Sequence, residues 1–376
     1  MIKIEIIDDI KKNIIKNNIR ILLVTSADIE KEKLNEKLKP IMGESDVLQY
    51  NYKSYEFYIG KFGIYNVVHI QTKIGSMGDG ASTLAINDAL QIWNIKMVVM
   101  IGIAFGRGID CNQKIGDILI SRDIYMYEKY KIKENKEGAI SCQHLSNPYY
   151  NAGEVLFKRF KDDKIWNSDS ASRAKIHVGT IASGEKIIDS SEQKRKILEM
   201  GNTTYIIGGE MEAAGLAAAC LNNKINEWIV VKGISDWGDG NKVKNQRVNQ
   251  SIAISNVVSY CEYVFSKEKI FDDLIEDNAI KMMEDIYSFA INMNSKDIDF
   301  IYSYETSLVP VNAISKNVSK RYDLIEKIKQ QIDSGKSINI YGEIYSGKTT
   351  IIKLLANQLN EIKYIDLSEN DINQIE

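Results

Sequence analysis

Three acids and a methionine stand where packing alone does not account for them. Glu210, Met211 and Glu212 follow two glycines and precede the small-residue run Ala213-Ala214-Gly215-Leu216-Ala217-Ala218-Ala219. Asp236, with Ser235 before it, closes a stretch that begins with the apolar run Trp228-Ile229-Val230-Val231. An ionised carboxylate among apolar neighbours is costly unless it is paired or used, so these acids are candidates for chemistry. Acids alone also permit a second reading, side chains solvated at the ends of their elements.

The elements that must position them alternate. Short apolar runs bounded by Gly, Asn and Asp alternate with helix-period segments, which predicts an α/β fold with a mostly buried sheet. Strands are expected at 20–25, 55–60, 66–72, 97–103, 117–120, 175–181, 204–207 and 228–234, and helices at 29–38, 80–93, 151–160, 190–200, 211–222 and 247–265. In the 80–93 helix, Ala81, Leu84, Ala85, Ala89 and Ile92 share one face at three- and four-residue spacing. A glycine-rich turn, Gly75-Ser76-Met77-Gly78, precedes that helix. Such a turn is commonplace by itself and gains weight only from its place in the order.

Composition excludes several classes. Across 376 residues the net charge is -3 and hydrophobic content 44%, so the chain buries a sizeable core and offers no basic footprint for nucleic acid. Cys111, Cys142, Cys220 and Cys261 lack CxxC spacing, which suggests neither a zinc site nor a disulfide framework. Two of the three histidines, His69 and His177, fall in strand-like apolar stretches and read as packing residues. The polar N-terminus does not resemble a signal peptide, and no apolar run approaches the length of a membrane span. A cytoplasmic protein that binds no membrane, nucleic acid or metal in this region is expected.

In order along residues 18 to 265, the chain resembles the nucleoside phosphorylase and nucleosidase superfamily, in particular the methylthioadenosine/adenosylhomocysteine nucleosidases. The resemblance is carried by the strand and acidic helix start from Ile21 to Glu32, the turn from Thr72 to Gly78, and the strand and turn from Val98 to Gly106. Gly116-Asp117-Ile118, Ala182-Ser183-Gly184-Glu185, the Glu-Met-Glu segment and the Ser-Asp segment follow. Each is weak alone; the ordered set is specific. It implies a nucleoside phosphorylase-like α/β/α domain with a mixed central sheet, over residues 1–266.

The resemblance also implies roles. Asp236 is expected to protonate purine N7 as general acid while accepting from an exocyclic amine, which fits adenine and conflicts with a 6-oxo purine. Glu212 is expected to accept from the ribose 2′ and 3′ hydroxyls, with Met211 against the sugar face and Glu210 beside them. Ile187 and Ile188 match base-stacking and backbone-contact positions, although the family usually carries phenylalanine where Ile187 stands. Thr72, Gly75 and Ser76 would supply donors near the sugar 5′ side or an anion. Gly102, Ala104, Arg107 and Ser235 complete the expected substrate contacts. Glu30 or Glu32 would activate water, and spacing does not choose between them.

Phosphorylases need arginines to grip phosphate, and arginine is sparse near the relevant turns, so hydrolysis is favoured. An N-glycosidase acting on an adenine nucleoside or nucleotide, ATP included, is the expected function, with no cofactor in this domain. A phosphate-dependent phosphorylase or methylthioadenosine nucleosidase is the alternative within the family, and a non-catalytic nucleotide-sensing module the alternative outside it. Relatives of this fold assemble, so a homo-oligomer is expected from the resemblance.

From Ser266 the texture becomes acidic and lysine-rich, and residues 267–310 read as a helical linker ending at Pro310. Residues 311–376 then carry Gly342-Glu343-Ile344-Tyr345-Ser346-Gly347-Lys348-Thr349 between a strand-like and a helix-like run, the P-loop pattern. Gly342 and Gly347 would shape a phosphate cradle, Lys348 would reach the β/γ oxygens, and Thr349 would hold Mg²⁺. The acid-bearing strand that completes such a site is not found before Glu376, so an incomplete P-loop segment is expected, with Mg and ATP as ligands in a longer protein. The layout resembles STAND or NLR-like defence proteins, in which an NTPase controls an N-terminal effector.

Overall fold

Val98 to Ile101 and Ile229 to Val231 have no polar face, and a strand apolar on both faces belongs mid-sheet, covered on both sides. The computed structural model describes residues 3–275, apart from 109–110, 135–137, 139, 145–148, 162–165, 167–173, 201–204 and 242–244. In chain order the elements are β1 (Ile4–Ile7), α1 (Asp9–Ile15), β2 (Ile21–Thr25), α2 (Asp28–Asn35), β3 (Val47–Tyr52), β4 (Tyr55–Phe62) and β5 (Tyr65–Gln71). Next come α3 (Ser82–Ile92), β6 (Met97–Gly106), β7 (Ile118–Met126), β8 (Tyr130–Glu134), β9 (Ile140–His144), β10 (Tyr149–Asn151) and α4 (Glu154–Phe160). The series ends with β11 (Ile176–Ser183), α5 (Ser191–Met200), β12 (Ile206–Glu210), α6 (Ala213–Asn222), β13 (Glu227–Asp236), α7 (Gln246–Phe265) and α8 (Asp272–Ile275).

Eleven strands form one mixed sheet in the order β1-β3-β4-β5-β2-β6-β12-β11-β7-β10, with β13 pairing to both β6 and β7. Because β12 and β11 join the same two strands by another route, β6, β12, β11, β7 and β13 close a ring. The run of β2 alternates between layers: Leu22 and Val24 pack with Ala85, Ile86 and Leu216 of α3 and α6. Ile21 and Leu23 pack with Leu34 of α2 and with Val257, Cys261 and Val264 of α7. This period-two division sets one helical layer on each face, so the expected α/β/α architecture with a mixed sheet is observed.

The small-residue run after Glu212 has its physical reason in the first layer. A Cβ on Gly215 of α6 would lie 2.8 Å from Thr83 Oγ1 and 2.9 Å from Ser76 Cβ, so only a bare backbone lets α6 approach α3 and the glycine-rich turn this closely.

Every helix and strand expected between residues 20 and 265 has a counterpart, most within a few residues at the ends, with β7 running on to Met126. Beyond the expectation are β1, β3, β8, β9, β10 and α1. Most are short or carry mixed polar sequence, and β1 is an edge strand paired only to β3, so the apolar pattern that marks a covered strand is missing. Residues 267–275, counted above with the linker, pack on this unit: Phe271 is fully buried against Phe265 and Tyr65. This compact unit runs Met1–Ile275. The remaining linker and the P-loop residues Gly342, Gly347, Lys348 and Thr349 lie outside the described residues. No helix among the described residues is long and apolar enough to cross a membrane.

Candidate active site

Strand β2 delivers the chain into Ser26 and Ala27, where α2 starts. Glu30, at the third position of that helix, folds back and caps it: Oε2 accepts from Ser26 N at 2.7 Å and Ala27 N at 3.0 Å. Its Oε1 accepts from Ile103 N of β6 at 2.8 Å, and the side chain is buried. A carboxylate offers about four lone-pair positions, so three N–H donors leave one on Oε1 for a further donor. Glu32 lies about 200° further round the helix and is exposed, which removes it from the expected water-activating pair.

At the end of β12, Glu210 turns over the N-terminus of α6. Its carboxylate accepts from Glu212 N at 2.9 Å and Ala213 N at 2.9 Å, donors that the helix leaves without an internal partner. Glu212 reaches the other way, with Oε1 accepting from Gly75 N at 3.2 Å. Between them stands Lys232, from the middle of β13. Its Nζ is 3.2 Å from Glu212 Oε2 and 3.3 Å from Glu210 Oε2, and the residue is 1% exposed.

Burial works against the Lys232 ammonium, but the carboxylates of Glu212, Glu210 and Glu30 outweigh it and lift its pKa above the ordinary lysine value. Burial raises Glu30, with Lys232 opposing and Glu212 adding to the rise. Burial likewise pushes Glu210 up to about 7, against the pull of Lys232. Gly102 of β6 makes the cluster possible: a Cβ there would lie 2.6 Å from Glu30 Oε1 and 2.9 Å from Lys232 Nζ.

A cavity of about 340 Å³ opens onto these groups, and Glu30, Glu210, Met211, Glu212, Ser235 and Asp236 all line it. Ala104, Phe105, Ile187 and Ile188 supply apolar wall. Asp236 Oδ1 accepts from Gly238 N at 3.0 Å, and the Ser235 hydroxyl lies 3.0 Å from its Oδ2. Ile187 is 64% exposed at the rim, whereas Ile188 is buried.

Other expected contacts lie elsewhere. The Gly75 amide is used by Glu212, and the Ser76 amide and hydroxyl by Glu185, so neither is presented to the cavity as a free donor. Thr72 is held against Ser26 Oγ and the Thr25 carbonyl and lines an adjoining pocket instead. Gly102 sits behind the acids and does not line the cavity. Arg107 donates to the Ile206 carbonyl at 3.0 Å and stacks on Tyr205 at 4.3 Å, which makes it a fastener of β12. His69 takes the packing role expected of it, held between Thr25 Oγ1 and Asn35 Oδ1, with burial depressing its pKa to about 3.

Sequence reasoning passed over Lys232, Glu185 and Phe105. Lys232 had a signal: it is the one charge inside the otherwise apolar run Trp228 to Ile234, and such a lysine needs an acid partner. Among the described residues no group of three or more metal-ligating side chains assembles.

The phosphorylase superfamily model matches residues 25–261. The chain belongs to that superfamily. Among curated superfamily members, a death domain-containing ATP nucleosidase of Amphimedon queenslandica is 29% identical over 63% of this chain and 46% of its own length. The chain thus spans less than half of that relative. A 5′-methylthioadenosine/S-adenosylhomocysteine nucleosidase of Staphylococcus epidermidis is 28% identical over 52% of this chain and 79% of its own. The superfamily fold recurs in the nucleosidase of that name from Neisseria meningitidis, solved with methylthio-immucillin-A. That structure covers 66% of this chain and 98% of its own at 17% identity, with a TM-score of 0.54. Futalosine hydrolase of Helicobacter pylori covers 66% and 97% at 17% identity, with a TM-score of 0.52.

Proposed function

We propose that residues 1–266 form a hydrolytic N-glycosidase that cleaves the N-ribosidic bond of an adenine nucleoside or nucleotide and releases adenine. The observation that carries the choice of water over phosphate is the use of the turn donors. Glu212 and Glu185 occupy the Gly75 and Ser76 amides, no arginine among the described residues lines the cavity, and the lining Lys186 is paired with Glu128, so an attacking phosphate finds no guanidinium fork and no free turn donor. Glu30, in contrast, keeps an acceptor position beside the cavity, which suits a water.

In this reading Asp236 donates a proton to purine N7 as the C1′–N9 bond breaks and its electron pair goes to the base. Glu212, whose two contacts leave further lone pairs, accepts from the ribose hydroxyls. Positive charge building on the sugar meets an acid cluster that one lysine only partly neutralises. Water bonds to C1′ and its proton passes to Glu30, which burial makes a stronger base than an ordinary glutamate.

Support for an adenine base comes from the donor-and-acceptor demand placed on Asp236 and from the curated relatives, which are named for ATP and for methylthioadenosine. ATP as substrate is the finer part of the proposal. On the same terms, residues 276–310 are proposed as linker, since 267–275 pack on the compact unit that ends at Ile275, and 311–376 as the start of a P-loop NTPase binding ATP and Mg, with the glycosidase as its effector in defence. The GxxxxGK[ST] pattern supports that part.

The test offers ATP, AMP, adenosine and methylthioadenosine to the protein with and without inorganic phosphate. Free adenine together with a sugar that keeps its 5′ substituent and carries a hydroxyl at C1′, independent of phosphate, is expected. Release that requires phosphate and yields a ribose 1-phosphate product would make the enzyme a phosphorylase. No base release from any of them would leave a binding module.

A further inference from the structure

The position at which superfamily members usually carry a base-stacking phenylalanine holds Ile187 here, exposed at the rim. A second aromatic side chain lies deeper. Phe105, at the end of β6, lines the same cavity while 92% of its surface is covered by protein, given an exposure of 8%. In the sheet it is register partner to Gly209 of β12 on one side and to Asp236 of β13 on the other.

Two glycines make room for its ring. A Cβ on Gly209 would lie 2.6 Å from Phe105 Cε1, so any other residue there would displace the phenyl group. Gly238, at φ +58°, would place a Cβ 3.4 Å from Phe105 Cγ and 3.2 Å from the Ile188 carbonyl. The ring is further fixed by Ile188, Tyr125 and Tyr127, which share its apolar cluster. Phe105 is the one aromatic side chain among the described residues lining this cavity, and a ring in register beside the candidate acid fits a flat heteroaromatic base.

We infer that Phe105 is the stacking platform for the leaving base, taking over the contact that Ile187 cannot make. The inference rests on the glycosidase reading and deepens it. A purine lying on this ring has its edge toward Asp236, its neighbour in register, so one strand end sets the plane of the base and the next delivers the proton. The sugar then extends toward Glu212 and Glu30. Stacking holds the base before and during bond cleavage alike, so its loss falls on KM more than on kcat.

The experiment is adenine binding by calorimetry and by the loss of adenine absorbance that stacking causes, beside KM and kcat for adenine release from adenosine. Wild type is compared with Phe105→Tyr, Phe105→Leu and Phe105→Met, each checked for native melting. Wild type and Phe105→Tyr are expected to bind adenine with the absorbance loss. Phe105→Leu is expected to bind about tenfold or more weakly without it, since a stacked aromatic contributes roughly that much per base. Phe105→Met retains volume without a ring, and gives the same answer should the leucine variant fail to fold. Folded leucine or methionine variants with wild-type affinity and absorbance change would overturn the stacking role while leaving the glycosidase reading standing. Wild type that binds no adenine would overturn both.

Discussion

Lys232 and Glu212 face each other at 3.2 Å, 1% and 8% exposed in their side chains, with Glu210 almost as close to the same ammonium. Glu30 adds a third negative charge to the field around that lysine. Such a cluster is held by mutual charge, because each member alone would be expelled or neutralised. Replacing Lys232 by Met should therefore cost about 3–5 kcal/mol of stability near neutral pH. The deficit should also depend on pH. Lys232 is raised above its ordinary pKa, so its contribution is fully present below the ordinary lysine value and is lost only as pH rises past the folded one. Without it, Glu210 and Glu30 lose the charge that opposes their upward shifts. They can be accommodated by protonation at low pH but not at high pH. Urea melts across pH 5 to 9 should show the gap between wild type and Lys232→Met widening as pH rises; a pH-independent gap would remove the lysine as counter-ion.

Glu30 and Glu32 separate cleanly. Glu30→Gln should lower base release by about 10²–10⁴-fold, the usual worth of a general base, while Glu32→Gln should leave it unchanged. Because burial raises Glu30, the acid limb of the wild-type rate profile should lie above its ordinary value of 4.5, activity falling as pH drops through the raised pKa. A wild-type rate in Glu30→Gln would remove Glu30 from the mechanism.

Asp236→Asn retains the size of the side chain and its contacts to Gly238 N and Ser235 while removing the proton to be donated. Base release should fall by about 10²–10⁴-fold with the melting temperature near wild type. Steady-state rates beside a thermal melt are sufficient, and an undiminished rate would end the assignment of Asp236 as acid.

Glu212→Gln should slow riboside cleavage far more than it weakens binding of free adenine, since the sugar and not the base is assigned to it. Calorimetry with adenine beside a rate assay with adenosine separates the two. Equal losses would place Glu212 in fold stability through Lys232 and Gly75 instead.

Much of the framework was legible along the chain. The apolar runs of β2, β6 and β13 and the amphipathic spacing of α3 announce themselves because strand and helix periods are local properties, and covered strands are apolar throughout. The acids of 210, 212 and 236 stood out for the same local reason, charge set in apolar sequence. Short edge elements such as β1 and β10 did not, since their stability comes from a partner strand rather than from their own pattern.

What the tertiary structure alone decided is where side chains from distant segments point. Glu30 and Glu32 are both acids near one helix start, and only the turn of α2 against β6 gives one of them the Ile103 amide and leaves the other in solvent. Arg107 follows the strand that ends at the cavity, yet packing on Tyr205 carries it away. The Gly75 and Ser76 amides look like open donors until Glu212, 137 residues on, and Glu185, 109 residues on, arrive to use them. Lys232 is an anomaly in the chain and a counter-ion in the fold, because Coulomb energy depends on separation in space and on burial, neither of which the chain order specifies.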